Sequence, residues 1–495
     1  MTESMVWWGI IIYLLISLYV AYLSRSGKQT NMVSYFLGDR KLGGFVSSLS
    51  YSATTYSAFM LVGLAGLTYS GGVGALGFEL IYLMGVSLVA FFGPRFWLVG
   101  KKYGYVTPSE MLGDRYDNKM VALVVSITSC IFLIPYSAVQ LSGIGYLISG
   151  MTNNAISFTT GVIIATAFAI IFSYVAGIRS VAWTDSLQAL FMIITSTIVV
   201  LIIIHSLGGF SGFFHTLEDN HAELLQVPGN GYFSFPTFLG LTLPWFFFSL
   251  SNPQVSQRLF MPDSMKSLRK MLMGFLLFGF IYTLVAVTWG FSSALKFPDL
   301  ATADLATPSL LSSGVVHPVL AVIVMVGIMA AAISTIDSIL LTLSSLFARD
   351  VFGNMNRRAS DELQLRVGKI VIPIIAILAF LFAMLQVDLI AVLSVASSAG
   401  LLVVVPAIIG TFFWKRGTAA GVITSVIVGG VIVIILELVK VKPFGLASGI
   451  WGLSISTILF IVVSLFTKAP EKKASEFLAY IKSELPNHLG KNSYK

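Results

Sequence analysis

One stretch of a long apolar segment carries closely spaced oxygen-bearing side chains: Ser334, Thr335, Asp337 and Ser338. The residues on both sides, across 315–347, are mostly apolar, and a bilayer penalises such groups unless they face protein, water or an ion. On a helix the three hydroxyl groups share one face with Ala331, and the carboxyl group of Asp337 lies on its flank. Hard oxygen donors suit a small hard cation better than a transition metal. The spacing therefore predicts an ion site in a transporter.

The elements that hold this stretch must be membrane helices, because the chain lacks the polar surface of a soluble domain. Of its 495 residues, 56% are hydrophobic and 11% are charged, whereas soluble domains average about 25% charged residues. The net charge of +8 does not indicate nucleic-acid binding, since the basic residues form short clusters between apolar runs. The composition predicts an all-α integral membrane protein in a lipid bilayer.

Apolar runs of about 20 residues, the length that crosses a bilayer core, recur along the whole chain. We expect 13 spans, at residues 5–24, 43–70, 76–99, 119–149, 156–177, 181–206, 235–257, 270–294, 315–347, 367–387, 388–413, 417–438 and 448–467. The loops on one side, together with the C-terminal tail, hold 27 Lys and Arg residues, and the loops on the other side hold 3. The positive-inside rule then places the N-terminus outside a plasma membrane and the C-terminus in the cytoplasm.

Two of these spans contain residues that interrupt helices. The first segment, 47–59, is rich in Ser and Thr, which weaken a helix and permit close packing. The second, 244–254, contains Pro253, which removes a backbone donor and frees carbonyl groups. Many secondary transporters bind ions and anionic groups at paired broken helices near the midplane. The alternative is that the small residues mark helix contacts and that Pro253 marks a simple kink.

Few charged residues lie inside the predicted spans. Asp185 opens the sixth span and is either a helix N-terminal acid near the inner interface or part of a cytoplasmic ion path with Asp337 and Ser338. Glu79 lies near the outer end of its span, so we expect it at the interface. We expect no Lys or Arg deep in any span. A solute carboxylate would then be bound by helix N-termini and hydroxyl groups.

The sequence contains no recognisable catalytic pattern. Its five His residues fall at span ends, in outer loops or in the tail, and its one Cys lies in an apolar run. No His or Cys pair therefore exists at depth to hold haem, zinc or copper. A Walker phosphate loop is absent, and no Ser/His or Cys/His arrangement is suggested. The sequence favours transport over catalysis.

An ordered set of motifs, spread over most of the chain, resembles the sodium:solute symporter family. The motifs are 35–44, 50–59, Gly177 with 183–185 and Gln188, Pro253 with Arg258, 331–338, and 414–416 ahead of Gly421. The resemblance implies a five-plus-five inverted-repeat fold of the LeuT-like type, with one extra helix before the core and two after it.

This implied fold divides the chain into six segments. They are an N-terminal extra helix and first cytoplasmic loop (1–42), a first repeat (43–206), an extracellular loop (207–234), a second repeat (235–416), two peripheral helices (417–467) and a cytoplasmic tail (468–495). We expect a short helix on the cytoplasmic surface within the tail, at 471–484.

The resemblance also implies where sodium binds. The matching ligands are the backbone carbonyls of Ala53, Tyr56 and Ala331 and the hydroxyl groups of Ser334 and Thr335. A second sodium site, found in some members of the family, matches Asp185, Ser334 and Ser338. Asp337 replaces one of the usual hydroxyl groups of that site, which either strengthens it or converts it to proton coupling.

The matching positions of the solute site lie on the first, third and sixth core helices. They are Ser57, Phe59, Tyr136, Gln140, Trp245 and Phe248. The alternative for the aromatic residues is plain packing. The stretch 331–341 also resembles the monocarboxylate and pantothenate transporters of the family.

We therefore expect a symporter that imports a small organic solute by alternating access, driven by one or two sodium ions. The solute classes considered are a monocarboxylate, a pantothenate-like compound and an amino acid. One rival is a proton-coupled symporter that uses Asp185 and Asp337. The other is a membrane sensor that binds a solute without moving it. The expected partners are the solute, sodium and the bilayer.

Overall fold

The computed structural model describes residues 2–23, 31–356, 358–386 and 390–489. Regular structure in these residues is helical, apart from one backbone bridge between Leu42 and Pro262. Parts of three predictions lie outside the described residues: the first loop at 24–30, the junction of the tenth and eleventh spans at 387–389, and the end of the tail from 490.

The helices are numbered in chain order. The first are α1 (Glu3–Leu23), α2 (Met32–Leu37), α3 (Gly44–Thr55), α4 (Ala65–Gly71), α5 (Gly74–Tyr103), α6 (Pro108–Arg115), α7 (Lys119–Met151), α8 (Phe158–Ser206) and α9 (Gly209–His221). The next are α10 (Phe235–Phe246), α11 (Phe248–Ser251), α12 (Pro253–Ser256), α13 (Met265–Lys296), α14 (Ala306–Ser312), α15 (Pro318–Leu346) and α16 (Gly353–Met355). The last are α17 (Asp361–Ala383), α18 (Ile390–Leu401), α19 (Val405–Phe413), α20 (Ala419–Val439), α21 (Ser448–Phe466) and α22 (Glu471–Leu489).

Short turns of 3₁₀ or π type continue several of these helices. The 3₁₀ turns are Gly38–Arg40, Ala222–Leu225, Gln257–Phe260, Ala303–Leu305, Leu402–Val404 and Pro443–Gly445. The π turns are Phe59–Leu64 and Phe347–Phe352.

Within the described residues, ten helical segments are long and apolar enough to cross a membrane. Two shorter apolar segments, Phe59–Gly71 and Phe158–Tyr174, lie inside predicted spans. A span that is broken near its middle is not one long helix, so the count of 13 spans stays a prediction.

The first predicted interruption is present at the end of α3. The helix stops at Thr55, Tyr56 has non-helical angles (φ −90°, ψ 87°), and the chain resumes in the π turn at Phe59. Hydroxyl groups of α3 donate to carbonyls four residues back: Ser52 to Ser48 and Thr55 to Tyr51. Such bonds compete with the regular helix. The Ser- and Thr-rich sequence therefore breaks the helix as predicted.

The second predicted interruption is also present. α10 ends at Phe246, and the short helix α11 is followed by Asn252 in an extended conformation (φ −88°, ψ 111°). Pro253 then starts α12. Proline disfavours a helical conformation in the residue before it and fits the first position of a helix. Its position explains why the chain unwinds at Asn252 and not elsewhere.

The fifth and sixth predicted spans meet inside α8. Gly177 has φ 61° and ψ 172°, a conformation that in practice only glycine adopts. The predicted loop at 178–180 is therefore replaced by a tight break at Gly177 between two helical segments of α8. α8 packs along α15 and α3.

 α15 lies at the centre of the fold. Every residue of this helix from Gly327 to Leu346 is buried, and the helix packs against α3, α7, α8 and α17. Because α3 also contacts α8, the first broken helix is held between α8 and α15. This packing places the break at Tyr56 beside the hydroxyl-bearing stretch of α15.

α5 approaches the second broken helix closely. A Cβ atom at Gly85 would lie 2.1 Å from the carbonyl oxygen of Phe246, so a side chain at this position would force the two helices apart. The absence of a side chain at Gly85 lets α5 bring its inner face against the aromatic residues of α10 and α11.

The tail helix is longer than predicted. α22 runs to Leu489, five residues beyond the predicted end at 484. Its Phe477 is fully buried and stacks on Tyr103 with ring centroids 5.8 Å apart. Lys473 Nζ lies 2.7 Å from a carboxylate oxygen of Asp114. The helix is therefore docked on the ends of α5 and α6.

Candidate functional site

Four of the five predicted sodium ligands converge between α3 and α15. Thr335 Oγ1 lies 3.0 Å from the Ala53 carbonyl oxygen and 3.1 Å from the Ala331 carbonyl oxygen. Ser334 Oγ lies 3.3 Å and 2.9 Å from the same two oxygens. All of these residues are buried. Two carbonyl and two hydroxyl oxygens in one cluster provide neutral, hard ligands for an alkali cation.

Tyr56, the fifth predicted ligand, lies at the break that follows α3. Its N–H donates to the Ser52 carbonyl at 2.7 Å, but its own ψ of 87° turns its carbonyl out of the helical direction. A carbonyl released from a helix in this way is available to a ligand. The break therefore provides the kind of backbone oxygen that the prediction requires at Tyr56.

A buried ion pair with its hydroxyl partners lies one turn further along α15. Arg258 Nη1 donates to Ser50 Oγ at 2.6 Å, and Arg258 Nη2 donates to Asp185 Oδ2 at 3.2 Å and to Ser338 Oγ at 2.5 Å. Ser50 Oγ also donates to Asp185 Oδ2 at 2.9 Å. The guanidinium group therefore joins four elements: α3, α8, α15 and the turn after α12.

This cluster corrects two expectations. The expectation of no Lys or Arg at depth is wrong, because Arg258 is only 3% exposed. The count of basic residues in the loops places Arg258 in an inner loop. In the structure, the 3₁₀ turn after α12 directs its side chain into the protein interior. The interfacial interpretation of Asp185 is also wrong, because this residue is fully buried. Its carboxylate is paired with the guanidinium, as a buried charge requires.

Asp337 does not join this cluster through a hydrogen bond. Its Oδ1 accepts from Ser173 Oγ at 2.9 Å, and Ser173 is on the first segment of α8. Thr54 Oγ1 lies 3.1 Å from Ser338 Oγ. Of the residues predicted for a second ion, Asp185 and Ser338 thus share one partner, and Asp337 bonds to another.

The aromatic residues predicted for the solute site form one cluster. The ring of Trp245 lies 4.9 Å from that of Phe59 and 5.1 Å from that of Phe248, measured between centroids. The Tyr136 ring lies 5.9 Å from the Phe248 ring. The three broken or kinked elements α3–α4, α7 and α10–α11 therefore meet here, close to the break at Tyr56.

The two polar residues of the predicted solute site are at its edge. Ser57 Oγ accepts from the Phe59 N–H at 3.1 Å and so caps the chain after the break. Gln140 is fully buried on α7, one turn beyond Tyr136, and its amide oxygen and nitrogen have no hydrogen-bond partner among the described residues. Buried polar groups are nearly always paired, so Gln140 has capacity for a ligand.

The sequence analysis missed the contribution of α5 to this cluster. Phe78 lies 5.4 Å from Trp245, and Tyr82 lies 5.7 Å from Phe248, between ring centroids. Glu79, expected at the interface, is 1% exposed, so that expectation is wrong. The helical spacing of Phe78, Glu79 and Tyr82 could have suggested a shared face, but nothing in the sequence shows which way that face points.

One buried acid lies outside the spans, in the segment between α13 and α15. Asp304 Oδ2 accepts from the backbone N–H of Ile390, the first residue of α18, at 3.1 Å. Burial raises the pKa of Asp304 to about 6, although this hydrogen bond acts in the opposite direction. The carboxyl group therefore joins the start of α18 to the 3₁₀ turn at Ala303–Leu305 in a pH-dependent way.

This chain is similar in sequence to several known proteins. A model of the sodium:solute symporter family matches residues 35–429. The sodium/pantothenate symporter of Escherichia coli is 26% identical over 468 residues, which cover 92% of this chain and 95% of that protein. The sodium/proline symporter of Haemophilus influenzae is 27% identical over 478 residues, which cover 89% of this chain and 91% of that protein.

The fold is likewise shared with a solved structure. The substrate-bound outward-open structure of a Na⁺-coupled sialic acid symporter superimposes with a TM-score of 0.77 at 20% sequence identity, covering 94% of this chain and 98% of that one. The predicted LeuT-like, all-α membrane fold is therefore confirmed. The family match extends over most of the chain, and we conclude that the protein belongs to the sodium:solute symporter family, a family of transporters and not of enzymes.

Proposed function

We propose that this protein is a sodium-coupled symporter that imports a small organic solute by alternating access. The observation that carries the proposal is the convergence of the Ala53 and Ala331 carbonyls with the hydroxyl groups of Ser334 and Thr335. These four groups come from a broken helix and from α15, which is buried from Gly327 to Leu346. Tyr56, at the break, supplies the fifth oxygen.

Sodium at this position would hold α3 and α15 together. Without the ion, the hydroxyl groups donate hydrogen bonds to the two carbonyl oxygens. With the ion bound, the oxygens would direct their lone pairs toward the cation. Because the ligands come from both helices, the cation would be coordinated only while α3 and α15 are in contact. Since the solute cluster begins at Ser57, only one residue beyond Tyr56, a change at the ion site is transmitted directly to the solute site.

The driving force of one ion is sufficient for accumulation. One charge that moves through about 100 mV releases roughly 2.3 kcal/mol, which corresponds to about 40-fold accumulation of a neutral solute before the sodium concentration gradient is added. A second ion would roughly square this factor.

We infer that one sodium ion is used in each cycle. Asp185 and Ser338, both predicted for a second site, already contact the guanidinium group of Arg258. Two cations beside one carboxylate repel each other strongly in a medium of low dielectric constant. Sodium binding to the purified protein should therefore have a Hill coefficient of about 1.

The proposal also includes the orientation of the protein in the membrane and the class of solute that it transports. The distribution of Lys and Arg supports an outside N-terminus and a cytoplasmic C-terminus in the plasma membrane. The cluster of Phe59, Trp245 and Phe248 favours a compact solute with an apolar part. The candidate solutes are an amino acid, a monocarboxylate and a pantothenate-like compound. Two of the relatives named above are symporters of pantothenate and of proline.

Proteoliposomes that contain the purified protein test this function. Labelled L-proline, D-pantothenate and L-lactate are offered with an inward sodium gradient, with an inward proton gradient, or with potassium in place of sodium. We expect uptake of at least one solute that requires the sodium gradient. Uptake that is independent of sodium but driven by the proton gradient would support the alternative, a proton-coupled symporter that uses Asp185 and Asp337.

Counterflow distinguishes a transporter from a sensor. Vesicles preloaded with unlabelled solute should take up the labelled solute transiently, because a transporter exchanges the two across the membrane. Saturable binding without any counterflow would support the sensor and would overturn the proposed function.

A further inference from the structure

The strongest unexplained feature of the interior is the carboxyl group of Glu79. It lies on α5, is 1% exposed, and its Oε2 has no hydrogen-bond partner among the described residues. A buried acid is normally paired, because an isolated charge in an apolar medium is very unfavourable. The salt bridges found in the described part of the chain do not include Glu79.

The surroundings of Glu79 are aromatic. The indole of Trp245 and the phenol of Tyr136 lie near its carboxyl group. Its neighbours on α5, Phe78 and Tyr82, face the rings of Trp245 and Phe248. Glu79 therefore belongs to the aromatic cluster that is proposed to bind the solute.

The buried guanidinium group of Arg258 does not neutralise this carboxylate. Arg258 donates its hydrogen bonds to Ser50, Asp185 and Ser338, and its charge is balanced by Asp185. The two acids thus differ in kind. Asp185 has its counter-ion within the chain, whereas the described residues offer Glu79 none.

We propose that Glu79 binds an ammonium group of the solute, so that the transported compound is an amino acid or a related amine. This proposal rests on the proposed function and narrows its three solute classes to one. An ammonium group would pair with the carboxylate, and the faces of the surrounding rings would stabilise the same positive charge. A solute with a carboxylate and no amine would instead place two like charges in one buried site.

The amide group of Gln140 can bind the carboxylate of such a solute. Its amide group is buried without a partner among the residues described, and it lies one turn from Tyr136, which interacts with Glu79. An amide N–H can donate to the carboxylate of an amino acid. The carboxylate and amide of these two side chains therefore complement the two charged ends of a zwitterion.

Matched pairs of probes test the proposal by thermal unfolding of the purified protein in saturating NaCl. The second member of each pair lacks the amine: propionate is compared with L-alanine, 4-methylpentanoate with L-leucine, and cyclopentanecarboxylate, in which a methylene group replaces the ring nitrogen, with L-proline. We expect stabilisation by at least one amine-bearing member and none by its deaminated partner. Equal or stronger stabilisation by the deaminated acids, or by pantothenate, would overturn the proposal. So would a protein that responds to sodium but to no amine-bearing probe.

Substitutions then assign the effect to Glu79. Glu79→Gln keeps the shape and removes the charge, so the dissociation constant of the amine-bearing probe should rise about tenfold or more. Glu79→Asp should retain the preference for the amine. The matched control is Glu437→Gln, which alters an acid on α20 that bonds to Ser448 and should change nothing. An unchanged dissociation constant in Glu79→Gln would overturn the proposal.

Thermal stabilisation by sodium distinguishes failure of the proposed sodium site from failure of the role proposed for Glu79. Stabilisation by NaCl over KCl without solute reports the ion site, and we expect it to be equal in Glu79→Gln and in the unmodified protein. Loss of this response in every form, including the unmodified protein, would contradict the proposed function itself. A normal sodium response without any preference for amines would contradict only the role of Glu79.

Discussion

Replacing Thr335 by valine tests the ion site with the smallest change of shape. Valine keeps the branched side chain but lacks the hydroxyl oxygen, which lies 3.0 Å from the Ala53 carbonyl and 3.1 Å from the Ala331 carbonyl. The variant therefore loses one of five proposed ligands, while both carbonyls keep their contacts with Ser334. We expect weaker sodium binding in a protein that still folds.

The magnitude follows from what the hydroxyl group does in each state. A polar contact to a charged group contributes about 1.5–3 kcal/mol, so the sodium affinity should fall about ten- to hundredfold. Without sodium, the same hydroxyl group makes only neutral hydrogen bonds, worth about 1 kcal/mol to stability. Thr335→Val should thus affect sodium binding more than it affects folding.

The assay is thermal unfolding of the purified protein across a NaCl series, with KCl replacing NaCl at constant ionic strength. Stabilisation grows with the logarithm of one plus the ligand concentration divided by its dissociation constant, so a fit of the NaCl series to this relation gives the dissociation constant of sodium. Thr166→Val is the matched control, because Thr166 on α8 is also buried and bonds only to the Val162 carbonyl, at 2.8 Å. An identical sodium dissociation constant for Thr335→Val and the unmodified protein would refute the proposed site.

Three further predictions concern other buried groups. Arg258→Gln should destabilise the protein by about 3–5 kcal/mol because it leaves Asp185 buried and unpaired, and adding Asp185→Asn should restore part of this loss in thermal unfolding. Burial raises the pKa of Asp304 to about 6, so between about pH 5 and pH 7 the folded state binds a proton that the unfolded state releases. The free energy of unfolding should therefore rise as the pH falls from about 7 to about 5. Thermal unfolding of Asp304→Asn across this range should not show the rise. Phe477→Ala should lower stability by about 3–5 kcal/mol, whereas Lys473→Ala, which removes a partly exposed ion pair, should cost under about 1 kcal/mol; equal effects of these two would contradict the docking of α22.

Much of the fold could be predicted because local chemistry determines it. The Ser- and Thr-rich segment of α3 and the proline at 253 both mark breaks that the structure contains. The helical spacing of Ser334 and Thr335 likewise predicted a common face, and both hydroxyl groups do contact the Ala53 and Ala331 carbonyls. The two breaks and the shared face of Ser334 and Thr335 are each determined by residues close together in the chain, whereas the meeting of this face with Ala53 is a long-range contact.

The errors arise where long-range packing decides. Arg258 was counted with an inner loop, because a sequence does not show that the chain after a broken helix turns inward to meet Asp185. Glu79 was assigned to the interface from its distance to the helix end, although α5 packs this end against α10. Burial of a charged residue depends on neighbours that are far away in sequence, and periodicity alone does not identify them.

The central claim is that sodium binds between α3 and α15, and direct binding of ²²Na⁺ to the purified protein tests it. We expect saturable binding that NaCl displaces and KCl does not, and a double variant with Ser334→Ala and Thr335→Val should lose it, because only the carbonyl ligands remain. The Thr166→Val control should bind as the unmodified protein does. Undiminished binding of ²²Na⁺ by the double variant would contradict the account.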